Sequence, residues 1–267
     1  MSGFYIGVDG KARKVKGGYI GVDGKARKIK KGYIGDENGV ARLCWSGIDP
    51  VFANNSWEQI IAACQTRQVP DTWAIGDQKP MTINGVDYAI DIIGKDHDDY
   101  SDGSGKAPLT FQLHDLHNDS CQMNYDRTNE VGWIYSNMCT LYVAFIWQCM
   151  PTVIQNGIRL VSKRTSAGKQ SSSIVTTADA LFLLSEVEIT GGTSYSFAGE
   201  GSQYAYYAAG GSKKKCYYNK GVTDADYWWT RSPHKDSTTN FVSIGRNGYA
   251  SYSGADYSYG VSPAFCF

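Results

Sequence analysis

The sequence has 267 residues, of which 42% are hydrophobic and 13% aromatic, so it can fill a core and is not that of a disordered chain. Its formal net charge is zero, which excludes a global field drawing the protein to nucleic acid or a membrane surface. No apolar segment follows Met1, and the apolar run Leu141–Trp147 is too short to span a bilayer. We therefore expect no signal peptide and no membrane insertion.

The chain begins with three copies of a fourteen-residue repeat, in which Tyr5, Tyr19 and Tyr33 mark the period. Each copy has two β-like halves around an Asp-Gly or Asn-Gly pair, which is a strong hairpin signal. A hairpin this short has too little apolar surface to fold alone, so repeats of this kind need neighbours. We predict a β-hairpin repeat stalk over residues 1–45 that attaches the chain and forms a homo-oligomer, with a trimer as the expected state.

Lys and Arg are frequent in this stalk, and two interpretations of them are open. A basic segment is typical of an arm that binds nucleic acid. Lys also protects exposed strand edges from pairing with other chains. The regular period and turn chemistry favour the second interpretation, so we predict no nucleic-acid partner.

We predict a ligand-binding domain over residues 46–267, where the composition changes. Ser56 followed by Gln59 has the pattern of a capping box and predicts the start of a first helix. Further along, Asn84-Gly85 predicts the turn of a hairpin over Met81–Gly94.

A second helix is predicted over Ser136–Met150, stopped by Pro151. Its predicted apolar stripe consists of Met138, Leu141, Tyr142, Phe145, Ile146 and Cys149. Beyond Ile158 we predict strands and loops, including a strand over residues 180–189. The fold class is therefore α+β, with two helices packed on mixed antiparallel sheets.

Cysteine and acidic residues are the side chains of this sequence that could bind a metal ion. The chain has seven Cys, and none has a partner at the spacing of a zinc site, so buried free thiols are expected. The acidic run from Asp96 to Asp102 has the oxygen ligands that Ca²⁺ prefers, but not the spacing of an EF-hand loop. A solvated turn is the favoured interpretation of that run. We predict no cofactor and no metal site.

The C-terminal segment, residues 227–267, interleaves two kinds of residue. Apolar residues such as Trp228, Trp229 and Phe241 have the character of a core, and between them lie many Tyr, Ser, Asp, Gly and Asn. This polar and aromatic composition is typical of a paratope, in which Tyr supplies rigid contact area and the small polar residues supply adaptable hydrogen bonds. The segment therefore predicts a recognition surface on a rigid scaffold.

Three motifs in this segment carry a family resemblance: WWTRSP, FVSIGRNGYAS and GVSPAFCF. Together with QMNYDRTNEVGW, TTADALFLLSEVE and the YIGVDGKARK repeats, they resemble the C-type-lectin-fold variable proteins of diversity-generating retroelements. Phage and prophage tail tropism determinants are one branch of that group, and the fold is shared with formylglycine-generating enzymes. The resemblance implies a C-type lectin fold for residues 46–267, with the variable region at about 227–267.

The resemblance also implies roles for individual residues. It places the scaffold at Trp228, Trp229, Arg231 and Ser232. It places variable, ligand-contacting side chains at Thr230, His234, Asp236, Thr238, Arg246, Tyr249, Ser251, Tyr252, Ser253, Asp256, Tyr257 and Tyr259. Ser262 departs from the family pattern, where Arg is usual.

The implied function is receptor binding in a virion, at a tail fibre or tail tip, with a host cell-surface protein or glycan as ligand and other tail proteins as partners. The alternatives are a metal-dependent enzyme on the formylglycine-generating-enzyme-like fold and a purely structural virion protein. That enzyme chemistry needs a copper-binding Cys pair, and no matching motif surrounds Cys216 or Cys266. We therefore expect a binding protein and not an enzyme.

Overall fold

The computed structural model describes residues 5–8, 11–14, 19–22, 24–28, 31–35 and 41–267. These residues form two compact units, Met1–Trp73 and Ala74–Phe267. The boundary predicted at residues 45 and 46 lies within the first unit and stays a prediction. The predicted turns Asp9-Gly10 and Asn38-Gly39 lie outside the described residues.

The repeats form three antiparallel strand pairs, which confirms the predicted hairpin halves. The pairs are β1 (Tyr5–Val8) with β2 (Lys11–Lys14), β3 (Tyr19–Val22) with β4 (Lys25–Lys28), and β5 (Lys31–Gly35) with β6 (Ala41–Ser46). Val22 of β3 lies opposite Lys25 of β4. Gly24, which precedes β4, has a φ of 71°, which glycine adopts without steric cost.

The predicted first helix is confirmed as α1 (Trp57–Gln65). The Ser56 side chain accepts a hydrogen bond from the Gln59 backbone N–H at 3.3 Å, and the Ser56 backbone N–H donates to the Gln59 side chain at 2.8 Å. This reciprocal capping box satisfies two backbone donors at the helix start. A short 3₁₀ turn (Phe52–Asn54) precedes it, and Phe52 packs edge-to-face on the fully buried Trp73.

The second unit contains three antiparallel sheets. A five-stranded sheet has the order β12-β16-β9-β8-β7, a three-stranded sheet has the order β13-β14-β15, and β10 pairs with β11. The strands are β7 (Gln78–Ile83), β8 (Val86–Lys95), β9 (Leu109–Leu113), β10 (Val161–Ser166), β11 (Ile174–Asp179), β12 (Leu181–Phe182), β13 (Trp228–Pro233), β14 (Asn240–Ile244), β15 (Ala250–Gly254) and β16 (Ala264–Cys266). The α+β class is therefore confirmed.

The hairpin over Met81–Gly94 is also confirmed, as β7 and β8. Asn84 and Gly85 have φ values of 49° and 77°, so both residues of the turn are left-handed, as a type I′ turn requires. The core of the five-stranded sheet includes Phe111 and Phe265, whose rings stack at 5.3 Å between centroids.

The predicted second helix differs from the observed one. A π-helical segment (Met138–Val143) runs into α2 (Ala144–Cys149). Because a π-helix bonds residue i to i+5, its turn is wider and its side chains leave the predicted stripe. Leu141 and Phe145 are consequently 47% and 51% exposed. Pro151 ends α2 but caps a further helix, α3 (Thr152–Gly157), because proline is tolerated at a helix start.

The strand predicted over residues 180–189 is wrong beyond Phe182. Ser185 and Glu188 form a second capping box, which starts α4 (Glu186–Thr190). One more short helix follows, α5 (Ala205–Ala208), together with a 3₁₀ turn (Tyr218–Lys220). Residues 41–267 thus contain more helices than the two predicted.

Candidate functional site

A buried network of ion pairs between Arg231, Glu188 and Lys163 holds strand β13 in place. The Arg231 guanidinium is fully buried and forms two parallel hydrogen bonds to the Glu188 carboxylate, at 2.5 and 2.9 Å. It also donates to the Thr165 hydroxyl at 2.9 Å. Although burial lowers it, the pKa of Arg231 is raised overall by Glu188, so the cation is kept. A bidentate pair of this kind holds planar groups in one geometry.

Lys163 extends this network to the acidic run that was considered as a calcium site. Its ammonium lies 2.7 Å from the Asp98 carboxylate and 2.6 Å from the Glu188 carboxylate. Although burial raises it, the pKa of Asp98 is held well below its usual range by the Lys163 charge. The Tyr204 hydroxyl adds a hydrogen bond to Asp98 at 2.9 Å. Asp98 therefore serves the core as the partner of a buried cation.

Two other carboxylates of that run also have ionic partners. Asp102 pairs with Arg159 at 2.8 Å, and Asp99 pairs with Lys106 at 3.4 Å. Within the described part of the chain, no group of three or more His, Cys, Asp or Glu side chains is placed to hold a metal ion. The run is a turn whose charges are used in ion pairs.

The two C-terminal thiols considered for copper each have a hydrogen-bond partner. Cys266 is fully buried, and its thiol lies 3.5 Å from the Thr110 hydroxyl. Cys216 lies 3.3 Å from the Asp115 carboxylate, and burial raises its thiol pKa to about 11. Burial raises the pKa of Cys266 as well. Since the thiolate is the form that binds metals and attacks substrates, neither thiol is activated.

Asn129 ties the loop between β13 and β14 to the body of the unit. Its buried side-chain amide donates to the carbonyls of Ser237 and Asn240, each at 2.7 Å, while its Oδ1 accepts from the Lys169 N–H at 3.0 Å. Its backbone N–H donates to the carbonyl of Thr238 at 2.8 Å. One side chain thus fixes the loop that carries several of the predicted variable residues.

The scaffold residues inferred from the resemblance lie in the core. Trp228, Trp229, Arg231 and Ser232 are all fully buried. Thr230 requires a correction, because its side chain is also fully buried and donates to the Val242 carbonyl at 2.9 Å. It lies on β13 with its hydroxyl bonded to β14, and it cannot contact a ligand at the surface.

The remaining predicted contact residues are half-buried or exposed, apart from His234, which is buried at 7% exposure beside the exposed Tyr252 ring, and we call the whole set the display face. The display face consists of His234, Asp236, Thr238, Arg246, Tyr249, Ser251, Tyr252, Ser253, Asp256, Tyr257 and Tyr259. Tyr249, Tyr252 and Tyr257 are its most exposed aromatic side chains, at 73%, 46% and 51%.

Tyr252 belongs to an aromatic cluster at one part of the display face. Its ring lies 4.5 Å from the His234 ring and 4.9 Å from the Tyr195 ring, both edge-to-face. Burial lowers the pKa of His234, and its Nδ1 accepts a hydrogen bond from the Asp236 N–H at 3.0 Å. Tyr252 is therefore held by neighbouring rings while nearly half of it faces solvent.

A second cluster surrounds Tyr259. Its ring stacks on Tyr227 at 4.9 Å, and its hydroxyl lies 2.6 Å from the Ser253 hydroxyl. Tyr257 lies beside it at 6.4 Å, with the Arg127 guanidinium 5.9 Å from the Tyr257 ring centroid. This arrangement exposes a cation next to an aromatic ring, which is a favourable pairing.

Arg246 and Tyr249 lie in the connection between β14 and β15. Arg246 lies 3.0 Å from the Asp226 carboxylate, and its guanidinium lies 5.7 Å from the Tyr227 ring centroid. Since Tyr227 also stacks on Tyr259, it connects the Arg246 guanidinium to the aromatic cluster around Tyr259.

The display face has neighbours that the sequence did not predict as part of the site. Tyr195, Arg127 and Asn129 come from loops distant in sequence, and each contacts a predicted residue or its loop. The motif QMNYDRTNEVGW contains Arg127 and Asn129, so the resemblance did mark that loop, though without a role.

Comparison with known families gives one match. The profile of the family described as "Domain of unknown function (DUF6273)" matches residues 110–267, which is more than half of the chain. The chain belongs to the DUF6273 family. The matched DUF6273 region begins within β9 and runs to the C-terminus. It includes Lys163, Glu188 and Arg231 of the ion network, the Asn129 loop and the whole display face, whereas Asp98 precedes it.

Neither the curated proteins nor the solved structures contain a match to this DUF6273 chain. Among the described residues, no helix combines the length and the apolar character needed to cross a membrane.

Proposed function

We propose that this chain is a receptor-binding protein of a phage or prophage tail, and that the display face contacts a host-surface protein or glycan. In this proposal residues 46–267 have the C-type lectin fold, and the region at about 227–267 is diversified by a retroelement. The observation that carries the proposal is that two strands of one sheet differ in burial. Every residue of β13 is buried, whereas all residues of β15 except Gly254 are partly or largely exposed.

The chemistry of the display face supports recognition. Tyr252 and Tyr257 are held by neighbouring aromatic or cationic side chains while they face solvent. A rigid, amphipathic Tyr loses little conformational entropy on binding, and for that reason Tyr is enriched in paratopes and binding hot spots. The small polar residues Ser251 and Ser253 lie on the same strand and tolerate exchange without loss of core contacts.

The hairpin repeats support a multivalent arrangement. Strand pairs with a single turn are marginal in isolation, so neighbouring copies would stabilise them. In a trimer, three display faces would bind one cell surface, and weak single-site binding would be multiplied. Sedimentation equilibrium of the full chain tests this arrangement: a trimer that becomes monomeric on deletion of residues 1–45 is expected, and a monomeric full chain contradicts it.

Binding to intact bacterial cells tests the display face. Labelled full chain would be titrated against cells of a strain that it binds. Tyr252→Ala with Tyr257→Ala should lower the affinity at least about tenfold, as loss of two hot-spot Tyr predicts. The matched control is Tyr135→Ala, because Tyr135 is 72% exposed and is not part of the display face. Equal losses in the control, or no loss in the double variant, would refute the proposal.

The DNA beside the gene tests diversification separately. A reverse transcriptase gene and a near-identical template copy of the region coding for residues 227–267 are expected, with differences confined to adenines of the template. If both are absent, the retroelement part of the proposal is wrong. If related chains from sister strains do not vary at the display face, a purely structural virion role is the better explanation.

A further inference from the structure

A cavity of about 580 Å³ lies in the second unit. None of the residues that line it belongs to the display face. It is lined by residues of β7, the start of β8, the loop after β9 and the segment around the 3₁₀ turn Tyr218–Lys220. This volume is within the range of small-molecule sites, which is about 300–1,000 Å³. The proposed function leaves this cavity without a role.

A buried carboxylate orients an imidazole at the cavity wall. Asp91 is 1% exposed, and its carboxylate lies 2.8 Å from Nδ1 of His114, which lines the cavity. The Gln78 side-chain amide donates to the other Asp91 oxygen at 2.8 Å, and its nitrogen also lies 2.9 Å from Nδ1 of His114. Because Asp91 and Gln78 both contact Nδ1, Nε2 is the ring nitrogen left for a ligand. A carboxylate partner of this kind fixes both ring orientation and tautomer.

The hydrogen bond to Asp91 raises the pKa of His114 despite its partial burial. The His114 side chain is 36% exposed, so its ring is held by Asp91 and is still accessible to a ligand. Fixing a polar side chain before a ligand arrives removes part of the entropic cost of binding.

Charged groups of both signs line the cavity. Asp87 and Asp115 contribute two carboxylates, Lys79 contributes an ammonium, and His114 contributes an imidazole. An anionic ligand would meet the two carboxylates, and a cationic ligand would meet the Lys79 ammonium, each at a desolvation cost. A neutral ligand with several hydroxyl groups meets neither penalty and uses both the donors and the acceptors.

Aromatic and amide side chains complete the same lining. Tyr218 is 65% exposed at the cavity, and Asn219 is beside it on the 3₁₀ turn. A flat, exposed phenol ring offers an apolar face with a polar tip. Saccharides have the matching chemistry, because their rings present C–H groups on one face and hydroxyls at the edge.

Nucleophilic catalysis does not fit the cavity. Cys216 is its one lining thiol, and that thiol lies against the Asp115 carboxylate with its pKa raised to about 11. A thiol beside a carboxylate is kept protonated, which is the opposite of an activated nucleophile. The imidazole therefore has a binding role and no covalent partner.

We propose that this cavity is a binding site for a neutral polyhydroxylated ligand, a mono- or disaccharide, with Nε2 of His114 as a fixed hydrogen-bonding group and the Tyr218 ring against the face of the sugar. Asp91 acts as a positioning residue for His114.

Saturation-transfer difference NMR on the full chain tests the site with named probes. The neutral probes are the methyl glycosides of glucose, galactose, mannose and N-acetylglucosamine at millimolar concentration, and the charged probes are acetate and methylammonium. We expect transfer to at least one glycoside and to neither ion. Transfer to no glycoside, or stronger transfer to either ion, overturns the proposal.

Variants locate the binding site. His114→Gln and Tyr218→Ala should each weaken glycoside binding about tenfold, the effect of one lost polar or stacking contact of about 1.4 kcal/mol. Asp91→Asn should also weaken binding and should change the ¹⁵N shifts of the His114 ring, which report the tautomer. Unchanged affinity in both His114→Gln and Tyr218→Ala would overturn the proposal.

The test separates this site from the display face. Tyr252→Ala with Tyr257→Ala should leave glycoside binding unchanged, whereas the same double variant is expected to lose cell binding. If the double variant abolishes glycoside binding and His114→Gln does not, the sugar binds the display face and the cavity proposal is wrong while the proposed function stands. If His114→Gln alone abolishes it, the cavity is the site whatever the outcome of the cell-binding assay.

Discussion

Strands β13 and β15 flank β14 in one sheet, yet they have opposite characters. Every residue of β13 is buried, and Arg231 on it is bound by the charges of α4 and the neighbouring loops. On β15 every residue except Gly254 is half-buried or exposed, and Tyr252 meets the Tyr195 and His234 rings edge-to-face. The difference suggests a division of labour in which β13 sets the geometry and β15 accepts exchange. Substitutions should therefore cost stability in the first and leave it unchanged in the second.

The largest loss is expected for Arg231→Met. The change removes the bidentate partner of Glu188 and leaves a buried carboxylate with one fewer cation, which costs about 3–5 kcal/mol in comparable buried pairs. Arg231→Lys keeps the charge but not the paired geometry, so a smaller loss is expected. Urea unfolding followed by Trp fluorescence measures both. A loss below about 1 kcal/mol for Arg231→Met would show that β13 does not depend on this network.

The next largest loss is expected for Asn129→Ala. The Ser237 carbonyl would lose its Asn129 donor, while the Asn240 carbonyl would keep only the His234 N–H, and an unsatisfied buried polar group costs about 1–3 kcal/mol. The loop between β13 and β14 should also exchange its amide hydrogens faster. Asn247→Ala is the matched control, because Asn247 is exposed in the next connection along the chain. Equal effects of the two variants would contradict a fixing role for Asn129.

A smaller, pH-dependent effect is expected at Glu200. Its carboxylate accepts hydrogen bonds from the Ser232 hydroxyl and the Ser166 N–H, but burial raises its pKa to about 7. In the unfolded chain a Glu titrates near pH ~4.3. The folded state therefore binds the proton more tightly, so this contribution to stability is complete below about pH 4 and is lost as the pH rises through 7.

Comparison with Glu200→Gln isolates that contribution from the other titrating groups. The stability difference, wild type minus variant, should fall steadily between about pH 4 and pH 8, because the amide does not titrate. Urea unfolding at several pH values gives the difference. A difference that is constant over this range, or that rises with pH, would contradict a raised pKa at Glu200.

Local signals predicted the elements that depend on neighbours in sequence. The capping box at Ser56 and the Asn84-Gly85 turn are complete within a few residues, and both are confirmed. The capping box at Ser185 follows the same rule, but the apolar run before it favoured a strand. The π-helical segment at Met138–Val143 was not predicted, because an apolar stripe at helical spacing does not show where a turn will widen.

Contacts between distant residues explain most of what the sequence could not predict at the candidate site. Asn129 and Ser237 are 108 residues apart, and Asp98 and Lys163 are 65 apart, so no local pattern links them. The sequence did not show that Thr230 is buried, because a polar residue on a strand is typical of an exposed position. In the structure its hydroxyl is satisfied inside the core by the Val242 carbonyl. The exposure of the β15 residues was easier to predict, because most of that strand consists of polar residues and Tyr.

The smallest stability effect is expected for Tyr257→Ala, and it is the sharpest test of the division between the strands. Tyr257 is 51% exposed, with its ring beside Arg127 and Tyr259 and outside the buried network. A surface substitution of this kind should change the free energy of unfolding by no more than about 0.5 kcal/mol. The same variant should weaken cell binding, because the exposed ring is available contact area. A destabilisation comparable to that of Asn129→Ala would mean that Tyr257 belongs to the scaffold, and the display face would then be smaller than the one defined here.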